Sequence, residues 1–168
     1  MLDQTPVQIA WVTRDLDATE TVLRALLGAG PWTRMPGIHF SPETCTYRGR
    51  PADFVADISL SYAGDTQLEL IAPVRGESIY TEFLDASGPG LHHICLEAPD
   101  PQSFAAAVED AEHHGAPAVM AGSMPGGIRF AYVSAAESGV PYVEIAYFPD
   151  DIRAVFRNLK DQANQERS

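Results

Sequence analysis

The sequence contains one plan of secondary structure twice, and this internal duplication limits the folds that the chain can adopt. Each half opens with a short apolar strand that carries one polar residue, Gln8 or His93, with an aspartate seven residues later. A helical pattern follows, and a strand near the end of each half carries a glutamate, Glu69 or Glu144. Repeated landmarks at equivalent places indicate one supersecondary unit used twice. The predicted unit is a strand, a helix and three strands (βαβββ).

The spacing of these landmarks sets the predicted boundaries. The first module is expected over residues 6–74 and the second over residues 88–149. Apolar residues at helical spacing predict a helix over residues 150–161, and we expect the polar residues 162–168 to form a flexible tail. Asp17 is the predicted N-cap of the first helix, because a glutamate follows it three residues later.

The composition excludes some partners. The 168-residue chain has a formal net charge of −12, whereas binding to nucleic acid or to an anionic membrane needs a basic surface. No apolar run reaches the ~20 residues of a membrane-spanning helix, and no signal peptide is visible, so we expect a cytoplasmic protein. Cys45 and Cys95 lie far apart in the sequence, which favours reduced thiols over a disulfide.

Residues 29–56 are predicted to form a long excursion from the first module. Its large side chains could line a roomy apolar pocket for a bulky substrate, or they could pack the excursion onto the sheet: Trp32, Met35, Phe40, Tyr47 and Phe54. Three arginines of the same region, Arg34, Arg48 and Arg50, could bind an anionic metabolite or could be scattered over the surface.

Four polar residues occupy equivalent strand positions with apolar neighbours on both sides: Gln8, Glu69, His93 and Glu144. Side chains alternate between the faces of a strand, so the four are expected to point into one interior. Two carboxylates there would repel each other unless a cation lay between them. An imidazole, two carboxylates and an amide oxygen suit one divalent metal such as Zn, Ni, Co, Mn or Fe(II).

Each of these residues also has an ordinary interpretation when it is taken alone. A glutamate on a strand commonly faces solvent, and a histidine on a strand commonly packs in the core. The second interpretation is the one that we apply to His92. Because His92 precedes His93 on one strand, alternation predicts that its side chain faces the opposite side and is not a ligand.

The segments that carry these residues resemble the vicinal oxygen chelate superfamily, which includes glyoxalase I, methylmalonyl-CoA epimerase, extradiol dioxygenases and antibiotic resistance proteins. The similar segments are Gln8–Val12, Gln67–Pro73, Gly90–Ile94 and Tyr142–Ile145. The resemblance implies an α+β fold in which paired βαβββ modules form a curled mixed sheet around a metal site.

The resemblance also implies the metal ligands and a reaction. The family's ligand positions fall on Gln8, Glu69, His93 and Glu144, and glutamine at the first of them is similar to eukaryotic-type glyoxalase I. This ligand set is unlike that of the iron dioxygenases, which use two histidines and one carboxylate. The implied chemistry is proton transfer next to a carbonyl through a metal-bound enediolate, with Glu144 as the base and Glu69 as the second candidate.

Three hypotheses about function follow from this resemblance. The first is an epimerase or isomerase for a small carbonyl or acyl-thioester compound, acting as a homodimer. The second is a glyoxalase I-type lyase for a hemithioacetal, and the third is a small-molecule binding protein without catalysis on the same fold. The epimerase branch has a further glutamate before its third strand, where this chain offers Asp53, so a mechanism with two bases is in question.

Overall fold

A computed structural model describes residues 5–165, in which ten strands form one mixed sheet and four α-helices pack against it. The strands are β1 (Gln8–Val12), β2 (Thr33–Phe40), β3 (Cys45–Tyr47), β4 (Arg50–Pro51), β5 (Phe54–Ala63), β6 (Thr66–Arg75), β7 (Gly90–Ala98), β8 (Ala118–Met124), β9 (Ile128–Ser134) and β10 (Tyr142–Tyr147). The helices are α1 (Leu16–Leu27), α2 (Ile79–Ser87), α3 (Pro101–His113) and α4 (Asp150–Gln165). None of these helices is long and apolar enough to cross a membrane.

The order of the strands reflects the internal duplication. The sheet runs β2-β5-β6-β1-β7-β10-β9-β8-β3-β4, and the antiparallel pair of β1 and β7 joins the two halves at its centre. On either side of this pair the arrangement repeats, because β1 is parallel to β6 and β7 is parallel to β10. The predicted fold class is confirmed: this is an α+β protein with a curled mixed sheet and a C-terminal helix.

The apolar side chains divide between the two faces of the sheet. On the outer face, α1 covers Leu68 and Leu70 of β6, while α3 covers Ile145 of β10. The inner face carries the largest core cluster, to which α2 contributes buried side chains and α4 contributes Phe156. Since side chains alternate along each strand, the residues next to Leu68, Leu70 and Ile145 point towards the inner face.

Capping residues set the starts of the helices. Asp15, and not Asp17, is the N-cap of α1, because its side chain accepts a hydrogen bond from the Ala18 N–H at 3.0 Å. Asp17 instead lies in the first turn, where a carboxylate is favourable for the helix dipole. Helix α4 extends to Gln165, four residues beyond its predicted end at residue 161. The predicted flexible tail is therefore helical up to Gln165, and residues 166–168 lie outside the described part of the chain.

Two elements differ from a simple repeated module. The short hairpin of β3 and β4 leaves the first half and pairs with β8 of the second half. Gly122 of β8 permits this contact, because a Cβ atom there would lie 2.7 Å from the Thr44 carbonyl oxygen. Helix α2, which was not predicted, connects the two halves and begins with a capping box formed by Ser78 and Thr81.

Candidate metal centre

The four predicted ligands lie on four consecutive strands in the middle part of the sheet. Glu69 belongs to β6, Gln8 to β1, His93 to β7 and Glu144 to β10, and these strands are consecutive neighbours. Each of the four side chains is at least largely buried. The internal duplication therefore brings one polar residue from each central strand to the concave side of the sheet.

Three of these residues meet at one point. The Nε2 atom of His93 lies 3.4 Å from Oε2 of Glu69 and 3.3 Å from Oε2 of Glu144. One candidate ligand atom from each residue lies within 4.8 Å of the other two. The His93 side chain is completely buried, and the two carboxylates are 13% and 10% exposed. A single small cation could thus contact all three residues.

Gln8 lines the same cavity as the two carboxylates. Its Nε2 donates a hydrogen bond of 2.7 Å to Oε1 of Gln67, and Nε2 of Gln67 donates to the Tyr62 hydroxyl at 2.9 Å. This chain of hydrogen bonds fixes the orientation of the Gln8 amide. Its Oε1 is buried without a hydrogen-bond partner, which is costly for a polar atom unless another group binds it.

Burial and mutual attraction perturb the acid–base behaviour of this cluster. Burial raises the pKa of Glu69, although the hydrogen bond and charge of His93 oppose the rise. For His93, burial favours the neutral ring, but the hydrogen bonds and charges of Glu144 and Glu69 outweigh it and raise the pKa to about 9. A protonated His93 would place a positive charge between the two carboxylates and offset their mutual repulsion.

The donor set fits a divalent cation of intermediate hardness. It offers one imidazole nitrogen, two carboxylates and one amide oxygen, a mixture typical of sites for zinc and its first-row neighbours. Nε2 of His93 and Oε1 of Gln8 are both buried without a well-formed hydrogen bond. A buried imidazole nitrogen and a buried amide oxygen beside two carboxylates form a donor set that suits a metal ion.

The prediction that His92 faces away from His93 is wrong, and a β-bulge is the cause. In the pairing of β7 with β1, His93 opposes Ala10 but Leu91 opposes Trp11, so His92 is an extra residue without a partner. A bulge of this kind re-aims a side chain. The Nδ1 atoms of His92 and His93 consequently lie 3.0 Å apart, within hydrogen-bond distance.

His92 is therefore a direct neighbour of the cluster. Its completely buried ring packs against Tyr80, Phe83 and Tyr142, with ring centroids 5.2, 5.2 and 4.9 Å away. Burial, and then the charge of His93, lower the pKa of His92 to about 3. A neutral His92 can accept a hydrogen bond from Nδ1–H of His93, which leaves Nε2 of His93 directed at the carboxylates.

A cavity of about 200 Å³ opens from this cluster, and its walls are mostly apolar. Its polar atoms come from Gln8, Glu69 and Glu144 at one end and from two tyrosines, Tyr80 and Tyr132. The tyrosine hydroxyls bind each other at 2.8 Å. The expectation of an apolar pocket is thus met, but only some of the predicted large side chains line it.

The large side chains of the 29–56 excursion have different positions. Met35 and Phe40 line the cavity, and Phe54 stacks behind Phe40 with ring centroids 4.4 Å apart. Trp32 packs in the cluster beneath α1, and the Tyr47 hydroxyl donates a hydrogen bond to Glu82. Both interpretations of the excursion therefore hold, each for a different part of it.

The arginines and the aspartate that the sequence suggested for anion binding or catalysis do not line the cavity. Arg34 pairs with Asp17 and Glu20. Asp53 is bound by His39 at 2.8 Å and by Arg75 at 3.1 Å, outside the cavity. Arg48 likewise pairs with Glu82. The arginines do not form an anion site at the cavity, and Asp53 is not placed to act as a second base.

Helix α4 supplies a wall of the cavity that sequence reasoning did not assign to the site. Ile152, Val155 and Phe156 of this helix line the cavity opposite the sheet. The apolar stripe of α4 was visible in the sequence, but nothing local shows which surface such a stripe covers. Tyr80 was missed because α2 was not predicted.

Comparisons with known proteins agree with this architecture. A family model described as the Glyoxalase/Bleomycin resistance protein/Dioxygenase superfamily matches residues 7–132. No curated protein sequence matches the chain significantly.

Solved structures with the same fold are similar over nearly the whole chain. Methylmalonyl-CoA epimerase from Mycobacterium tuberculosis has 18% identity and a TM-score of 0.59, covering 92% of this chain and 97% of that one. A hypothetical protein from Bacillus halodurans has 16% identity and a TM-score of 0.58, covering 87% and 95%. Methylmalonyl-CoA epimerase from Streptomyces coelicolor, in complex with 2-nitronate-propionyl-CoA, has 18% identity and a TM-score of 0.54, covering 88% and 96%. At these identities the likeness concerns the fold.

Proposed function

The chain belongs to the Glyoxalase/Bleomycin resistance protein/Dioxygenase superfamily, and from that premise we propose that it is a metal-dependent enzyme that moves a proton on the carbon next to a carbonyl group. The observation that carries this proposal is the cluster of His93, Glu69 and Glu144, with the free oxygen of Gln8, at the polar end of an apolar cavity. An epimerase or isomerase is the leading form of the proposal. The names of the epimerases with the same fold support it, since epimerisation of a carbon acid is a proton transfer.

In this proposal Gln8, Glu69, His93 and Glu144 would hold one divalent cation. Such a cation, when bound, acts as a Lewis acid that stabilises negative charge on a substrate oxygen. The hydrogen bonds that fix the Gln8 amide and the His93 ring orient two of the donors before anything binds. This preorganisation reduces the rearrangement that the reaction requires.

Glu144 is the proposed base. Its carboxylate lines the cavity and is 10% exposed, so it can reach a bound molecule while most water is excluded. It would take the proton from the carbon beside the carbonyl and return it from the same side, so that inversion of that carbon would require the planar intermediate to turn over in the cavity before the proton returns. Glu69, on the other side of His93, is the second candidate and would act mainly in binding.

The test is solvent deuterium uptake at the carbon next to a carbonyl, in zinc-, nickel-, cobalt- or manganese-loaded protein. Glu144→Gln should reduce uptake by the ~10²–10⁴ that a positioned general base contributes, while Glu69→Gln should cost less. Glu109→Gln, at an exposed site on α3, is the matched control and should behave like wild type. Equal losses in the two site variants would contradict the separate roles.

Two other functions would be recognised by different results with the same protein and candidate compounds. A glyoxalase I-type lyase would use the same residues, and it would be recognised by turnover of a hemithioacetal. A binding protein without catalysis is favoured by the apolar walls of the cavity, and it would bind a carbonyl compound without exchanging its protons.

A further inference from the structure

We propose that the substrate is an uncharged, largely hydrocarbon carbonyl compound that enters the cavity free, and not as a coenzyme A thioester. This inference rests on the proposed function, because it names the substrate class of the same site. It departs from those fold relatives that are described in complex with methylmalonyl-CoA or 2-nitronate-propionyl-CoA.

The first step is the charge of the cavity. Among residues 5–165, no arginine or lysine lines it, and the charged side chains that do so are the carboxylates of Glu69 and Glu144. An additional negative group of a ligand would meet these carboxylates inside apolar walls. Burial of an unpaired charge costs several kcal/mol. A ligand that fills this cavity should therefore carry no charged group on its body.

The second step concerns the size and shape of the body. Apolar side chains surround the cavity on the sheet side and on the α4 side, among them Ile58, Phe130 and Phe156. An apolar protein cavity of about 150 Å³ holds a benzene molecule, and this one measures about 200 Å³. A ring or a branched alkyl group fits, with its oxygens at the polar end beside Gln8.

The third step is that several cationic side chains, which could otherwise hold the phosphates of coenzyme A, are already paired with carboxylates. Arg34 and Arg48 are already paired with carboxylates away from the cavity. On α4, Arg153 pairs with Glu97 at 2.6 Å and Lys160 pairs with Asp65 at 3.2 Å. The chain has a net charge of −12, so its overall field repels a polyanion.

A polar cleft next to the cavity defines the rival hypothesis, in which a nucleotide is bound there. This cleft is lined by Arg157 together with the paired Arg153 and Lys160, and it shares Phe148 and Phe156 with the cavity. A thioester with its acyl group in the cavity and its nucleotide in this cleft would run past these two aromatic side chains. The rival therefore predicts that Arg157 contributes to thioester binding.

The experiment compares two ligands by titration calorimetry on zinc-loaded protein. Benzoylacetone is uncharged and offers two neighbouring oxygens, whereas acetoacetyl-CoA offers a similar pair on a polyanion. We expect a dissociation constant at least tenfold smaller for benzoylacetone. We also expect that constant to change less than twofold between 20 and 300 mM salt, since salt screens interactions between charges.

Two valines give a matched pair of variants. Val155 on α4 lines the cavity and is 52% exposed, while Val22 on α1 is 53% exposed and far from it. Val155→Lys should weaken benzoylacetone binding at least threefold and strengthen acetoacetyl-CoA binding at low salt. Val22→Lys should change neither.

The outcomes separate this inference from the proposed function. Tighter binding of acetoacetyl-CoA, with a loss in Arg157→Gln, would overturn the inference. If the bound thioester also exchanged its proton with solvent, and if this exchange required Glu144, the proposed function would be supported although the inference had failed. Binding of benzoylacetone without any proton exchange would support the inference on ligand class and contradict the proposed catalysis.

Discussion

Replacing His93 by phenylalanine tests whether the charge of this residue holds the site together. Phenylalanine keeps an aromatic ring beside Tyr132, whose centroid lies 5.0 Å from that of His93. It removes the positive charge that lies 3.4 Å from Glu69 and 3.3 Å from Glu144. In the variant, two largely buried carboxylates face each other without a cation.

The size of the effect follows from the geometry. Carboxylate oxygens within 4.8 Å of each other repel by ~3.5 kcal/mol at an effective dielectric constant of about 20. The pKa of Glu69, which burial already raises above its ordinary value, should therefore rise further in the variant.

The assay is urea unfolding in EDTA between pH 4.5 and 9. A raised folded-state pKa of a carboxyl group means that stability is complete below its ordinary pKa and is lost as pH rises through the raised value. The variant should thus lose ~3 kcal/mol of unfolding free energy as pH rises from 4.5 through the raised pKa of Glu69. In wild type, the contribution of His93 is complete below pH 6.5 and is lost only as pH rises through about 9. His113→Phe, at an exposed histidine, is the control and should follow wild type. Identical curves for His93→Phe and wild type would refute the reasoning.

Three further predictions concern metal binding. Zinc at 100 times its dissociation constant should stabilise wild type by ~2.7 kcal/mol. The resulting rise in melting temperature, roughly 5–10 °C, should be absent in His93→Phe. If wild type showed no rise, the result would count against a metal site. His93 must lose its proton to bind a cation, and its pKa is about 9. The zinc affinity measured by calorimetry should therefore increase about tenfold per pH unit from pH 6.5 to 8.5. An affinity that does not change with pH would contradict this. His92→Phe keeps the aromatic packing but removes the His92 Nδ1 atom, which lies 3.0 Å from Nδ1 of His93. Zinc affinity should therefore fall ~10–100-fold. Unchanged affinity would mean that His92 contributes packing and no orientation of His93.

The sequence predicted the positions that follow from regular strand geometry. Glu69 and Glu144 each lie between two apolar residues on a strand, so a period of two places them opposite the side chains that pack under α1 and α3. The duplication then places their strands symmetrically about β1 and β7. The fold class and the proximity of Glu69, His93 and Glu144 could both be inferred in this way.

The features that the sequence did not predict depend on contacts between segments that are distant in the chain. The bulge at His92 arises from the register of β7 against β1, and no residue type in the Gly90–Ile94 segment indicates its presence. The partner of β3 is 75 residues away in the pair Thr46–Ala121, a separation that local patterns do not encode. Likewise, an amphipathic pattern shows that α4 buries one face, but not that this face closes a ligand cavity.

The two outermost strands of the sheet have a consequence for self-association. One edge is β4, which has two residues and includes Pro51. The other is β2, where the pairing with β5 is interrupted between Met35 and Ile38, at Pro36 and Gly37. Proline has no N–H to donate, and an irregular edge offers another strand no continuous ladder. The sheet is therefore protected at both ends against edge-to-edge aggregation, although its ten strands are held in one layer.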